Sequence, residues 1–327
     1  SGSSFGTFSL VDEDPVPIKR VVISGTDAAY FTMGTGTSRH SLQFKSSVSG
    51  DFESKSSYSI TVTITDIEDN TLSKNLTLTI TDANDAPTSV SITGGSAAEN
   101  SAGASFGTLS TTDPDASDSF TYSVTGGTDS ASFEIGSSNT LKFKSTVSGN
   151  FETKSSYSVI ITSTDSGSES ASSTLTLSLT DVNESPTDIA LSGGSAAENL
   201  AGASFGTLST TDPDASDSFT YSVTGGTDAA SFEIGSSNTL KFKSTVAANF
   251  ESKSSYSVIV TSTDAGSNTY AETLTVSITN VNEAPSFTTS TTASAAENGT
   301  AVLTAAASDP ESGSLTYSLG TGNDTGS

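Results

Sequence analysis

Hydrophobic residues recur at every second position through much of the chain. Phe120, Tyr122 and Val124 alternate with Thr121 and Ser123, and Leu141 and Phe143 alternate with Lys142 and Lys144. Tyr157, Val159 and Ile161 repeat the pattern, as do Leu175, Leu177 and Leu179. A period of two puts alternate side chains on opposite faces of a strand, so each run predicts an antiparallel strand buried on one side and wet on the other. Gly126-Gly127, Gly136-Ser137 and Asp165-Ser166-Gly167 separate the runs and predict turns. No run has the spacing of a long amphipathic helix, and none approaches the ~18 consecutive apolar residues that would cross a bilayer. About seven short strands per hundred residues predict an all-β, Greek-key sandwich.

The pattern repeats. Pro87, Pro186 and Pro285 stand 99 residues apart, as do Glu99, Glu198 and Glu297, and Tyr58, Tyr157 and Tyr256. Between Gly94–Gly167 and Gly193–Gly266 only seven of 74 positions differ, among them Ser101/Leu200 and Ile161/Val260. A unit of this size is too long for a solenoid repeat and large enough to bury its own core. The expected modules are 1–87, 88–186, 187–285 and 286–327. Ser4–Thr7 aligns with Ser105–Thr108, so the first begins part-way through and the last stops short, as in a fragment of a longer array. Tyr122, Phe133, Phe151 and Tyr157 are expected in the core. His40 has no counterpart in the other repeats and is expected at the surface.

Charge narrows the function. There are 12 Lys and Arg against 37 Asp and Glu, a net charge of −25, with one His and no Cys. Such a chain repels nucleic acid and anionic lipid. It has no thiolate for zinc, iron–sulfur clusters or catalysis. The acidic residues gather in loops: Glu99, Asp113-Pro-Asp115, Glu152, Asp165, and Asp181-Val-Asn183-Glu184. Like charges close together are unfavourable without a cation, and an all-oxygen donor set suits a hard cation such as Ca2+.

Taken in order, Glu99, Asn150-Phe-Glu152, Asp181-Val-Asn183-Glu184-Ser-Pro186, then Asp212-Pro-Asp214 and Asp264, resemble the calcium signature of cadherin repeats. They are most similar to the cadherin-like domains of large bacterial surface and secreted proteins. The resemblance covers essentially the whole chain. It implies tandem Greek-key, immunoglobulin-like, cadherin-type β-sandwich modules in an elongated array, with Ca2+ held between consecutive modules. At the first junction it implies Asp51, Glu53, Asp82, Asn84, Asp85, Asp113, Asp115 and Asp165 as ligands. At the second it implies Glu99, Glu152, Asp181, Asn183 (through its backbone carbonyl), Glu184, Asp212, Asp214 and Asp264. At the third it implies Glu198, Glu251, Asn282, Glu283, Asp309 and Glu311. There are departures. Asn150 and Asn249 replace an Asp that only Asp51 keeps; Ala86, Ser185 and Ala284 replace an Asn; Asn280 replaces an Asp; and Glu311 replaces an Asp. Lost carboxylates lower affinity, so the third junction is expected to be the weakest.

The implied role is a calcium-stiffened stalk or adhesion segment, extracellular or at the cell surface, of the bacterial adhesin or biofilm type. Its implied partners are calcium ions, other copies of itself in homophilic adhesion, cell-surface proteins or polysaccharide. Nucleic acid and direct membrane insertion are not expected. Trp is absent, so strand exchange through a Trp is not supported. The alternatives are turns that use Asp and Asn without a cation, and a carbohydrate-binding array, which calls for an exposed aromatic pair repeated on one face. An Asp113/Asp115 glycosidase pair is set aside because the motif recurs in every module, and no base–nucleophile set supports an enzyme. Gly94-Gly95 lacks the strand–helix context of a phosphate loop.

Overall fold

The computed structural model describes residues 4–7 (backbone), 17–34, 41–289, 292–300, 303–318 and 320; His40 lies outside the described residues. Its contacts divide the chain into two compact units, Ser1–Asp181 and Val182–Ser327. Each is described by itself.

The first unit contains a sandwich of two four-stranded sheets. One sheet runs Phe133–Ile135, Thr140–Phe143, Ser105–Thr112, Ser89–Gly94. The other runs Thr121–Gly126, Ser156–Thr164, Ser170–Thr180, Ser96–Ala98. The alternation dictates which side chains point inward: Phe106, Phe133, Leu141, Phe143, Val159, Ile161 and Leu177 are buried, and the intervening Ser and Thr face water. The rings of Phe106, Phe133 and Phe143 meet at 4.8–5.4 Å between centroids. Each such side chain contributes roughly 1.5–3 kcal/mol by leaving water. Tyr122, Phe151 and Tyr157 pack against this core while remaining partly exposed. On the wet face Thr125, Thr162 and Ser172 link their hydroxyls at 2.8 and 2.7 Å.

One pairing departs from the antiparallel pattern. The chain from 89 to 98 begins in one sheet and ends in the other. Ser89–Gly94 pairs antiparallel with Ser105–Thr112, whereas Ser96–Ala98 runs parallel to Ser178–Thr180. The switch occurs at Gly94 and Gly95, with φ of +110° and +91°, backbone that side-chain-bearing residues rarely adopt. It delivers Glu99 to the end of the sandwich. Asn100 turns the chain there in the left-handed region, which Asn tolerates (φ +57°).

The first unit also holds two three-stranded sheets, Ser4–Thr7, Ser41–Phe44, Phe31–Met33 and Ile18–Ser24, Ser57–Asp66, Thr71–Thr79. Their core is Phe31, Leu42, Phe44, Tyr58, Ile60 and Val62. In the second unit the sandwich recurs strand for strand, from Asp188–Gly193 to Thr269–Thr279, around Phe205, Phe232 and Phe242. A short antiparallel pair, Ser286–Phe287 with Ala307–Ser308, follows.

Candidate metal centres

The strands end in acidic loops, and the fold gathers those loops. In the first unit one carboxylate oxygen from each of Glu53, Asp85 and Asp115 lies within 4.8 Å of the others. Asp85 belongs to the linker ahead of the sandwich, and its N–H donates to Asp115 Oδ2 at 2.7 Å. Asp115 in turn donates its N–H to Asp113 Oδ1 at 2.9 Å. Proline between the two aspartates fixes this tight turn. Asp82 joins Glu53 and Asp115 in lining a cleft of about 410 Å³. Asn84 reaches Asp165, whose Oδ2 accepts its Nδ2 at 3.0 Å. Asp51 accepts the Ser54 N–H and hydroxyl, which hold its carboxyl below the usual range. The eight residues expected at the first junction therefore occupy one end of the sandwich and the loops that face it.

Electrostatics at this end is adverse. Glu53 is held down by its own N–H, yet burial and the charges of Asp115, Asp82 and Asp85 outweigh this and raise its pKa.

Sequence reasoning missed one member. Asp118 lies with Asp113 and Asp115, one oxygen from each within 4.8 Å of the others. Its Oδ1 accepts the Ser166 hydroxyl at 2.8 Å. Asp113 Oδ2, Asp115 Oδ1 and Asp118 Oδ2 are buried oxygens without a hydrogen-bond partner. The signal was present as Asp-x-Asp-x-x-Asp, repeated at Asp212, Asp214 and Asp217. In the second unit Asp212 Oδ2 and Asp217 Oδ2 are likewise buried and unpartnered. Burial first, then the charges of Asp214, Asp217 and Asp264, push the Asp212 pKa up against the pull of the Asp214 N–H.

The residues expected at the second junction divide between the two units. In the first, Glu99 is 3% exposed and accepts the Phe151 N–H at 2.6 Å. Glu152 is exposed and accepts from Asn150 Nδ2 at 3.0 Å, so Asn150 steers a carboxylate where an Asp would add one. Asp181 is exposed just past the strand Ser170–Thr180. In the second unit Asn183 Nδ2 donates to Asp264 Oδ2 at 2.9 Å, and Glu184 N–H to Asp214 Oδ2 at 2.8 Å. Burial works against the Asp264 charge, but donors from Asn183, Asn268 and Gly266 outweigh it and lower its pKa.

At the third set, one oxygen from each of Glu198, Glu251 and Glu283 lies within 4.8 Å of the others. Glu198 is 3% exposed. Its two oxygens accept the Phe250 N–H at 2.7 Å and the Val281 N–H at 2.8 Å. Glu283 N–H donates to Glu311 Oε1 at 3.0 Å, and Glu311 N–H to Asp309 Oδ1 at 3.1 Å. Asn282 donates to the Glu283 carbonyl at 3.2 Å. Glu283 Oε2 and Glu311 Oε2 are buried and unpartnered, and burial raises the Glu311 pKa.

These sets contain carboxylate, amide and carbonyl oxygens, and neither His nor Cys. Buried, unpartnered anionic oxygens are costly unless a cation meets them. The donor set fits Ca2+, which takes 6–8 oxygens in flexible geometry.

No family model matches the sequence, and no curated protein matches it. Solved structures do. The extracellular domain of protocadherin GammaB4 aligns with a TM-score of 0.59 and 23% identity, over 90% of this chain and 49% of that one. Extracellular cadherin domains 1–5 of protocadherin Gamma B2 align at 0.57 and 17%, over 94% and 63%. EC22–24 of mouse cadherin-23 aligns at 0.53 and 19%, over 80% and 86%. The chain thus spans about half of the first and under two thirds of the second. Sheet order, repeated sandwiches and these likenesses agree that the chain has a cadherin-like repeat fold.

Proposed function

We propose that this chain is a segment of an extracellular stalk or adhesin, built of modules 1–87, 88–186, 187–285 and 286–327, whose junctions bind calcium. The observation that carries the reading is the set of buried, unpartnered carboxylate oxygens at Asp113, Asp115 and Asp118, repeated at Asp212 and Asp217. Turn geometry alone leaves those oxygens unexplained, because an Asp that only caps a turn spends its oxygens on nearby N–H groups.

Glu53 and Asp51 come from one module, Asp82, Asn84 and Asp85 from the linker, and Asp113, Asp115, Asp118 and Asp165 from the next. Without counter-charge these groups repel one another across the junction. When bound, calcium supplies two positive charges and a coordination shell shared by both modules and the linker. Glu198, Glu251, Glu283, Asp309 and Glu311 form the corresponding set in the second unit. Glu99, Glu152, Asp181, Asn183, Glu184, Asp212, Asp214 and Asp264 are assigned the same role from the sequence repeat. Millimolar extracellular calcium suits such modules, with dissociation constants of about 10⁻⁴–10⁻³ M.

A stalk needs length and stiffness rather than a unique site, which fits the near-identity of 94–167 and 193–266. The carbohydrate-binding alternative calls for a repeated exposed aromatic pair. Among the described residues of 88–285, the large hydrophobics exposed to water are Val182, Leu200 and Val281, with no aromatic ring. Self-association in homophilic contact remains part of the proposal, with no surface assigned to it.

Small-angle X-ray scattering with about 5 mM calcium, above the expected dissociation constants, and then with excess chelator tests the reading. A stiffer, longer particle in calcium supports it. Identical scattering and identical melting in both conditions overturn it.

A further inference from the structure

Each linker is fastened to the module that follows it by protein atoms alone. Asn84 Nδ2 donates to Asp165 Oδ2 at 3.0 Å and to the Asp85 carbonyl at 3.2 Å. The next N–H, that of Asp85, donates to Asp115 Oδ2 at 2.7 Å. The Asn84 side chain lies directly over Gly167. A Cβ built on Gly167 would fall 2.2 Å from Asn84 Oδ1, 2.3 Å from Cγ and 2.5 Å from Nδ2. Gly167 has no left-handed φ. What this position requires is space for the amide, not the conformational freedom of glycine.

The arrangement recurs one repeat later, wholly within the second unit. Asn183 Nδ2 donates to Asp264 Oδ2 at 2.9 Å and to the Glu184 carbonyl at 2.9 Å. Glu184 N–H donates to Asp214 Oδ2 at 2.8 Å. A Cβ on Gly266 would sit 2.5 Å from Asn183 Cγ. Asn268 adds a donor to the Glu184 carbonyl at 3.1 Å. The second unit begins at Val182, one residue ahead of Asn183.

We infer that Asn84 with Gly167, and Asn183 with Gly266, form a latch that holds each linker on the following module without a cation. Asn84 and Asn183 are positioning residues: they hold the Asp85 and Glu184 N–H groups on the Asp-Pro-Asp turn. The freedom of the first linker is thereby confined to the residues ahead of Asn84, Asp82 and Ala83, rather than spread over 82–86. An amide suits the role because it donates to Asp165, where a carboxylate would add a like charge.

The inference does not rest on calcium, so the test is run in excess chelator on the full chain. Hydrogen–deuterium exchange reads the Asp85 and Glu184 amides. Both are expected to be protected. Gly167→Ala is expected to speed exchange at Asp85 about fivefold, the factor that loss of one typical hydrogen bond gives, and to leave Glu184 unchanged. Gly266→Ala is expected to do the reverse. Asn84→Asp, of nearly equal size, is expected to match Gly167→Ala, and adding Gly167→Ala to it should do nothing more. Unprotected amides in chelator overturn the latch. So does a Gly167→Ala effect of the same size with and without Asn84, because that effect belongs to the loop alone.

Discussion

Glu198 receives the Val281 N–H on Oε1 at 2.8 Å, joining the start of one sandwich to the linker that leaves it. Its other oxygen receives Phe250 N–H, so a carboxylate only 3% exposed is met by two backbone donors. Such charge-assisted bonds are the stronger kind. Glu198→Ala is expected to cost about 1–3 kcal/mol even in chelator, because it strands buried donors. Glu251 is exposed, and Glu251→Gln is expected to change stability only when calcium is present. Thermal melts of both variants in both conditions check the pair. Equal losses in chelator would show that burial of Glu198 carries no special weight.

Asp118 gives the opposite sign. Its Oδ2 is buried and unpartnered beside Asp113 and Asp115. Asp118→Asn removes a like charge, so it is expected to leave melting in chelator unchanged or raised. In calcium the same variant is expected to lower melting and weaken binding. Loss of stability in both conditions would mark Asp118 as a structural cap held by Ser166 and nothing more.

Part of the acid sensitivity is expected to come from ion pairs outside the junctions. Asp129 pairs with Lys154 and accepts the Ser158 N–H at 2.8 Å. The Lys154 Nζ lies 4.9 Å from the centre of the Tyr157 ring. Burial pulls the Asp129 pKa up, but Lys154 and the Ser158 N–H outweigh it and hold it below the usual 3.8. A depressed carboxylate stabilises the fold above its unfolded pKa, and that contribution is lost as pH falls through the lower folded value. Stability in chelator is therefore expected to drop below about pH 3.8. Asp129→Asn should remove its share of that drop. Asp27 with Lys55 and Asp228 with Lys253 repeat the pair. An acid transition unchanged in Asp129→Asn would contradict this.

The three junctions are expected to lose calcium in order. The third has Asn280 for the leading Asp of the linker and Glu311 for the second Asp of the lower turn. Limited proteolysis during calcium depletion is expected to cut at 280–285 before 81–86. Simultaneous cutting would mean that these exchanges do not affect affinity.

What the sequence disclosed follows from periodicity. Val159, Ile161, Leu175 and Leu177 declare an inner face because a strand repeats every two residues, and the 99-residue spacing declares the module. Glu99, Asp113 and Asp115 stood out because they recur in loops. Asp118 was passed over because it lies outside the Asp-Pro-Asp spacing that drew attention to Asp113 and Asp115; the folded loop brings its carboxylate to theirs. The latch was hidden for a similar reason. Asn84 and Asp165 are 81 residues apart, and no local pattern relates an amide to the empty side of Gly167. The parallel pairing of Ser96–Ala98 was missed because no local periodicity announces that the chain changes sheets at Gly94-Gly95.

The most direct test of calcium binding at the junctions is a calorimetric titration of the full chain with Ca2+, beside a chain carrying Asp113→Asn, Asp115→Asn, Asp212→Asn and Asp214→Asn. The account predicts saturable binding with dissociation constants of about 10⁻⁴–10⁻³ M, and a loss of the sites that the four substitutions touch. No saturable heat, with a melting temperature indifferent to calcium, would contradict it and leave the acidic loops as turns.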